Sequence, residues 1–592
     1  MLGDVKDFLF FDVEVFSHNS LVVFKNYEGE TVRVFSSSLD GLGDLYDQGL
    51  ITKAGFTGLK EFVTGKTLVG YNNYHFDDFI LYAMSMNFDQ NVIKAMNDSI
   101  IQNTSRVNMK RIDICKTLDV FQQIDVSRPG LKKIEGNMGK SIVESSIDFN
   151  IDRPLTPGEN WQTFKYCEYD VEQTLEIFKM RSDYFESKMQ IVEMLPEYIR
   201  EKAYRWNTTS IIGQLLDHKH DVKTGRLVSD EMLAMVPVEV QDMWHELDNP
   251  IDYRFKKRKV VVREGNCFIE FGWGGLHGAP DGRFEAKDVM LFDVVSMYPN
   301  ILILLNGLSD KTDEYKRILE HRLQLKREGK KKEQAPYKLI LNSTYGLLNN
   351  QYNALNHPSL AYSICIYGQI SLYVLTKQLQ AVGCTVFNIN TDGVAFIPDK
   401  GGKYKTVVHD WEALFNLTLE EDSFKRWVQK DVNNYVAVTD KDYIYVKGRD
   451  VNNYHDVEDG GRNYYFNNSN SRIIQKAVVD KIVYGKSIPE TIWENRHRPE
   501  LYQYVLQAGS TYLGTVDNTG KLLQRVNRVF AGKNTNYEIF KKRHDGGSVK
   551  FPDAPTNMVL WNGDLSEFKY FEKIVDFDWY NALAEKVYER WE

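Results

Sequence analysis

The sequence predicts a multidomain α/β protein, and three observations carry that reading. Its 592 residues exceed what one hydrophobic core holds, so several domains are expected. Residues 1 to about 190 alternate strand-like and helix-like segments, the pattern of a layered α/β fold. From Val289 onward a short apolar strand turns into a helix, and a charged helical hairpin, a long apolar helix and two β-hairpins follow.

The elements follow in order. LFFDVEVF, SLVVF and TLVGY read as strands, and DDFILYAMSM and the stretch from Trp161 to Lys188 as helices. Residues 190 to 270 form a mixed connector with a loop at HKHDVKTGRL. VMLFDVVSMYPNI is a strand, a turn and a helix, with Pro299 near the first helical position, where its missing N–H is not needed. The charged hairpin runs from about Asp310 to Asn349, with its tip near EGKKKEQAP. SLAYSICIYGQISLYVLTKQLQ is the long helix, and TVFNI–NTDG–VAFI and NNYVAV–TDKD–YIYVKG are the hairpins. VNNYHDVEDGGRNYYFNNSNS reads as a Gly/Asn-rich loop, and from Arg472 the chain reads as mainly helical with a polar insert at Asp517 to Lys521.

Composition is that of an ordinary globular protein, 43% apolar and 26% charged. No uninterrupted apolar stretch is long enough to span a bilayer, and the N-terminal segment has no signal-peptide pattern. Cys115, Cys167, Cys267, Cys365 and Cys384 are scattered with no CxxC pair, which speaks against a zinc site or disulfide framework and for a cytoplasmic setting. The net charge of -9 does not announce a nucleic-acid binder, but RFKKRKVVVR (254–263) and KRILEHRLQLKREGKKK (316–332) are strongly basic. An acidic whole with basic strips suits an enzyme that grips phosphates while carboxylates hold metals. Isolated lysine runs more often form solvated faces.

Two carboxylate groups stand out. Asp12 and Glu14 lie two apart in a strand, so both leave one face. Tyr166 and Asp170 share a helix face at i and i+4. Asp77 would complete four carboxylates around two metals, a set that hydrolyses phosphodiesters, with Tyr166 orienting the water; Asp78 is the alternative third ligand. Both could instead simply begin a helix. In the second group, Asp293 ends a strand, and the turn brings Ser296, Met297 and Tyr298 close to it. Amides at such a turn can hold phosphate oxygens, and Tyr298 would lie beneath a bound sugar. Lys338, Asn342, Tyr345 and Gly346 fall on one helix face, and Arg322 and Lys326 on the facing helix. Three cations from two helices would clamp a triphosphate. Asp392 lies in NTDG, which taken alone is first of all a hairpin turn.

In this order the segments resemble family B DNA polymerases with a DEDD-type proofreading exonuclease. DVVSMYP, K-x3-N-S-x-Y-G and NTDG look like its three polymerase motifs, Lys441 and Tyr443 like its K-x-Y motif, and WGGLHG with Gly274 and Gly275 like its glycine motif. RIIQKAVVDKIVYGK looks like the first thumb helix. The resemblance implies an RNase H-like exonuclease domain (1–190) and a right hand of connector and palm (191–308), fingers (309–350), second palm part (351–455) and mainly helical thumb (456–592). It implies metal ligation by Asp12, Glu14, Asp77 and Asp170 at one site and by Asp293 and Asp392 at the other. Each site would take two Mg²⁺, with Mn²⁺ substituting. Ser296, Met297, Tyr298, Arg322, Lys326, Lys338, Asn342 and Tyr345 would bind dNTP; Gly274, Gly275, Gly346, Lys441 and Tyr443 would bind DNA. Lys140 would match a lysine that some phage enzymes add to the exonuclease site. Implied partners are primer–template DNA, single-stranded DNA, dNTPs and replisome proteins, for a monomer without a membrane. Asn390 and Gly393 depart from the family, which usually has aspartate and serine there. The early DxE motif and the 44 residues between Tyr298 and Ser343 imply a compact phage enzyme that extends an ordinary primer. The rival readings are an exonuclease whose polymerase half has decayed into a DNA-binding module and, more distantly, an RNA-templated polymerase.

Overall fold

The structure, a computed structural model, describes residues 7–102, 109–123, 129–218, 226–246, 258–455, 465–466 and 471–592. Parts of the expected loops at 218–227 and 451–471, and of the basic run at 254–263, lie outside the described residues. The chain forms two compact units. The first comprises Met1–Asn207, Asp456–Arg472 and Asn495–Phe577, and the second Thr208–His455, Ile473–Glu494 and Asp578–Glu592.

The first unit begins with β1 (Phe8–Val15), β2 (Ser20–Lys25), β3 (Thr31–Ser36), β4 (Thr67–Gly70) and β5 (Lys116–Asp119). They stand in the order β3-β2-β1-β4-β5. β1 pairs antiparallel with β2 and parallel with β4, so it is central and needs cover on both faces. Phe8 and Phe10 pack with Phe164, Cys167 and Val171 of a long helix, α3 below; Leu9, Phe11, Val13 and Val15 pack with Phe79 and Ile80 on the other side. The helices that matter here are α1 (Asp77–Ser85), α2 (Leu131–Asn137) and α3 (Pro157–Met180). α3 begins at a capping box of Thr156 and Glu159, with Pro157 at its first turn. The expected helix from Trp161 to Lys188 is two helices. Arg181 leaves helical geometry at ψ 14°, and a separate helix spans Ser182–Glu193.

The second unit is built on nine antiparallel strands: β6 (Lys259–Glu264), β7 (Cys267–Gly272), β8 (Leu276–Ala279), β9 (Phe284–Val294), β10 (Thr385–Thr391), β11 (Gly393–Ile397), β12 (Leu419–Asp431), β13 (Asn434–Thr439) and β14 (Ile444–Lys447). Their order is β14-β13-β12-β9-β11-β10-β8-β7-β6, which places the Asp293 strand inside the sheet, next to the central β11. Helix α4 (Met297–Leu304) follows β9. α5 (Thr312–Arg327) and α6 (Lys331–Leu348) form the expected charged hairpin. α7 (Pro358–Ala381) is long and apolar enough to cross a bilayer by composition, unlike the expectation from the sequence, but 89% of its apolar window is buried within the protein.

The C-terminal region corrects the expected mainly helical thumb at 456–592. Two helices, Arg472–Tyr484 and Ile488–Glu494, are followed by seven short strands. These are β15 (Tyr504–Gln507), β16 (Gly514–Asp517), β17 (Leu522–Leu523), β18 (Val526–Ala531), β19 (Ile539–Lys542), β20 (Ser548–Lys550) and β21 (Met558–Leu560). They make two antiparallel sheets, β15-β18-β21 and β17-β16-β19-β20. The segment Asn495–Phe577 belongs to the first unit, so residues 1–190 are not that unit's full extent. The signal for these strands lies in their turns. DNTG and HDGG place Gly520 and Gly546 at φ 87° and 90°, where a glycine closes a hairpin without a Cβ clash.

Candidate functional site

In the first unit, β1 presents Asp12 and Glu14 to the face covered by α3, opposite Val23 and Leu21 of β2. α3 carries Tyr166, Cys167 and Asp170 toward them, and Asp77 begins α1. Glu14, Asp77 and Asp170 are buried. Burial raises all four carboxyls, and repulsion from neighbouring carboxylates adds to it in Asp12, Glu14 and Asp77. Asp12 is pushed up to about 7 by burial and then by Asp170, and Glu14 well above its ordinary value by burial, Asp12 and Asp170. Asp77 rises by burial and Asp12. In Asp170 burial also wins, although Lys132 opposes it. Ligating oxygens of Asp12 and Glu14 and the Cys167 sulfur lie within 4.8 Å of one another. The Cys167 thiol is pushed well up by burial and these carboxylates, so it donates, to the Asp12 main-chain oxygen at 3.3 Å.

Several expected roles move. The lysine at this site is Lys132 of α2, a residue the sequence reading passed over. Its ammonium pairs with Asp170, lies 3.2 Å from Glu135 and sits 4.7 Å over the Tyr166 ring. Lys140, the expected match, instead lies 3.6 Å from Glu176 at the surface. No sequence motif separates Lys132 from Lys133 beside it; only the turn of α2 does. The Tyr166 hydroxyl hydrogen-bonds to Asp170. Asp78 is spoken for, because its two oxygens accept from Asn73 Nδ2 at 2.9 Å and Thr117 Oγ1 at 3.0 Å. That leaves Asp77 as the α1 carboxylate coupled to Asp12.

In the second unit a cleft of about 500 Å³ is lined by Asp293, Ser296, Met297, Tyr298, Arg322, Lys326, Asn342, Tyr345 and Asp392, among others. Asp293 and Gly393 are register partners across β9 and β11, and Val294 N–H donates to Asp392 O at 2.8 Å. The two aspartates are thus brought together from residues far apart in sequence. Burial, then Asp392, pushes Asp293 up to about 7, and burial raises Asp392. Thr391 stands at φ 63°, an uncommon conformation for a β-branched residue. The residue before β8 comes very close to Thr391. A Cβ on Gly275 would lie 2.7 Å from Thr391 Cα, so only glycine fits there.

Opposite the aspartates stand the cations. Arg322 donates from Nη1 to Ser296 Oγ at 2.8 Å, while its buried Nε has no hydrogen-bond partner. Lys326 pairs with Glu420 at 2.7 Å. Glu420 faces Asp293 across β9 and β12 and was not anticipated. Lys338 is exposed on the same α6 face as Asn342 and Gly346 and is not among the residues lining the cleft. The Tyr298 and Tyr345 rings meet at 4.4 Å, and Tyr345 OH lies 2.7 Å from Cys365 Sγ. Met297 packs its methyl group against Gly368 of α7, where a Cβ would lie 2.1 Å away. Asn390 does not join the aspartates; its Nδ2 donates to Val432 O at 2.7 Å and Asn433 Oδ1 at 3.1 Å. Gly393 leaves room for Asp293, whose Oδ1 would lie 2.2 Å from a Cβ there. Tyr443 stacks on His455 at 5.1 Å beside exposed Lys441. Lys447 is the lysine whose charge bears on Asp293 and Asp392, a second residue the sequence reading missed. Gly274 stands at φ 118°.

Both carboxylate groups fit divalent cations chemically. Each gathers hard anionic oxygens in a partly desolvated place. Arg322 lines the cleft beside Ser296, and a guanidinium there suits an anionic oxygen such as a phosphate offers.

No protein-family model matches the sequence, and no curated protein matches it. Among solved structures, the chain is similar to the family B DNA polymerase of the hyperthermophilic archaeon Pyrobaculum calidifontis. The identity is 14% and the TM-score 0.42, over 98% of this chain and 77% of that one.

Proposed function

We propose that the chain is a template-directed DNA polymerase with a separate 3′→5′ exonuclease, of family B and the compact phage type. One observation carries the reading: each unit gathers its own carboxylates, buried or half-buried in the first, and in the second half-buried Asp293 and exposed Asp392 line a cleft of about 500 Å³ that also holds Arg322 and Lys326. In the second unit Asp293 and Asp392 would hold two Mg²⁺, and in the first Asp12, Glu14, Asp77 and Asp170 would do so, with Mn²⁺ substituting. Bound there, the metals supply Lewis-acid stabilisation of the attacking and departing oxygens.

The remaining work falls to the protein. Arg322, which lines the cleft, binds a triphosphate oxygen of the incoming dNTP, and Lys326 adds charge when it leaves Glu420. Tyr298, braced by Tyr345, floors the sugar and excludes a 2′-hydroxyl. Asn342 and Gly346 lie on the α6 face available to the nascent pair. Lys441 and Tyr443 grip the primer strand, and Gly274 and Gly275 lie along its path. In the first unit Lys132 and Tyr166 hold the Asp170 carboxylate in place for hydrolysis of a single-stranded 3′ end. The partners are primer–template DNA, dNTPs and replisome proteins, for a monomer in the host cytoplasm. Asn390 and Gly393, which motivate the decayed-polymerase alternative, each have a local structural reason that leaves Asp293 and Asp392 intact.

The test is separation of activities. Asp12→Ala with Glu14→Ala abolishes degradation of a primer without dNTPs and spares extension; Asp293→Asn does the reverse. Loss of both activities from either change, in a folded protein, refutes the two-site reading.

A further inference from the structure

We infer that the C-terminal strands of the first unit are a positioning element for its carboxylate site, acting through α2 on Lys132. The inference rests on the exonuclease reading of that site.

The starting point is the shortness of α2. Seven residues make two turns, too few to hold a helix in water without packing. Its last carbonyls lack partners within the helix. Here they are met from nearly 400 residues away in sequence. Arg528, fully buried, donates from Nη2 to Gly136 O at 2.9 Å and to Lys140 O at 2.6 Å, and from Nη1 to Gly563 O at 2.7 Å. Gln503, also fully buried, donates to Asn137 O at 2.8 Å. The Arg528 guanidinium is also a cation at a helix C-terminus, the end where the helix dipole favours one.

The fit continues on both sides of these bonds. Lys133 donates to Val505 O of β15. Gly136 lies so close to β15 that a Cβ would come within 2.6 Å of Val505 Cγ1. Beyond α2, Glu144 accepts from Arg525 and Val526 N–H at 2.8 and 2.9 Å, and Ile142 N–H donates to Asn562 O at 2.8 Å. Ile142, Val505 and Val526 form a small buried cluster.

α2 therefore has one end fixed by the C-terminal strands while Lys132, on its first turn, reaches Asp170. Lys132 bridges Asp170 and Glu135, itself on α2, so rotation or slippage of α2 would move Lys132 and Glu135 together off Asp170. Arg528 and Gln503 touch neither Asp170 nor the other carboxylates. They are positioning residues, and their effect must pass through Lys132.

The experiment is a double-mutant cycle on the full chain, following excision of a single-stranded 3′ end and primer extension side by side. Arg528→Met slows excision kcat at least about tenfold, because small misplacements of a reacting group cost that much, and leaves KM for the strand and the extension rate unchanged. Gln503→Met, a milder change of similar volume, produces the same split at smaller size and serves if Arg528→Met does not fold. Lys132→Met slows excision as well, and adding Arg528→Met or Gln503→Met to it slows excision no further. Wild-type excision rates in both Arg528→Met and Gln503→Met overturn the inference, and so do defects that multiply with that of Lys132→Met. A wild-type chain that extends primers but never excises them refutes the exonuclease reading itself.

Discussion

Gly275→Ala tests whether the backbone around Asp392 is held by close packing alone. The added methyl group would stand 2.7 Å from Thr391 Cα and 2.8 Å from Thr391 Oγ1, where ordinary contact begins at 3.4 Å. Relief therefore requires movement of about 0.7 Å (3.4 less 2.7) at the residue that precedes Asp392. Thr391 is already at φ 63° and has little freedom to yield by itself. The shift must pass to β8 or to the Asp392 turn. Misplacing a catalytic group by about 1 Å can cost about a hundredfold, so a 0.7 Å shift predicts a fall in single-turnover extension of roughly ten- to a hundredfold. Overpacking of this kind destabilises by about 1–3 kcal/mol, which thermal melting would read as a modest loss. Excision, in the other unit, serves as the internal control and stays unchanged. Gly346→Ala is the contrasting variant. A Cβ there meets nothing within 4 Å and alanine is the better helix former, so it keeps or slightly raises thermal stability and weakens only primer–template binding. Wild-type extension by folded Gly275→Ala, or equal loss of both activities, would refute the packing argument.

Three further outcomes follow from the same geometry. Gly393→Ser restores the usual family residue but puts a Cβ 2.2 Å from Asp293 Oδ1, so extension falls at least about tenfold; unchanged single-turnover rates would show that Asp293 relaxes freely. Asn390→Ala loses two hydrogen bonds to Val432 and Asn433, so it lowers the melting temperature of the chain while Mg²⁺ titrations of extension match wild type; an activity defect rescued by high Mg²⁺ would make Asn390 a ligand. The third concerns pH and metal. Asp12 rises from 3.8 to about 7 on folding, so its protonated form favours the fold; that stability is present below about pH 4 and is lost as pH climbs through 7. A divalent cation offsets the loss, by about 2.7 kcal/mol at a hundredfold excess over Kd. Chelation should then lower the melting temperature more at pH 8 than at pH 5, and equal shifts would contradict the ion-site assignment.

What the sequence made legible was local and periodic. Asp12 and Glu14 share a face because strands repeat every two residues, and Tyr166 meets Asp170 because helices repeat every 3.6. The same logic found the α5–α6 hairpin and the Asp293 strand. What escaped was long-range. Nothing near Lys132 in GLKKIEGNM says that it, rather than Lys133 or Lys140, turns toward Asp170; that choice is made by how α2 is seated, and its C-terminal carbonyls are met by residues nearly 400 positions away. Glu420 and Lys447 bear on Asp293 only through the ladder from β9 across β12 and β13 to β14. The C-terminal strands, two to six residues each, are too short to show alternation, and one of their hairpin turns, at Asp517 to Lys521, reads from sequence as a polar insert in a helical region.

The discontinuity of the first unit bears on how the protein is made. Its N-terminal segment leaves the ribosome early, yet its last segment ends at Phe577, 370 residues after Asn207. At about 5–20 residues per second, α2 waits roughly 20–80 s for Gln503 and Arg528 to emerge. Until then the carboxylates of β1 exist without a fixed Lys132. On the proposed exonuclease reading, a nascent chain with this site unfinished would not degrade nucleic acid during its own synthesis, and a fragment ending at Asn207 should express as an incompletely packed protein with little excision activity.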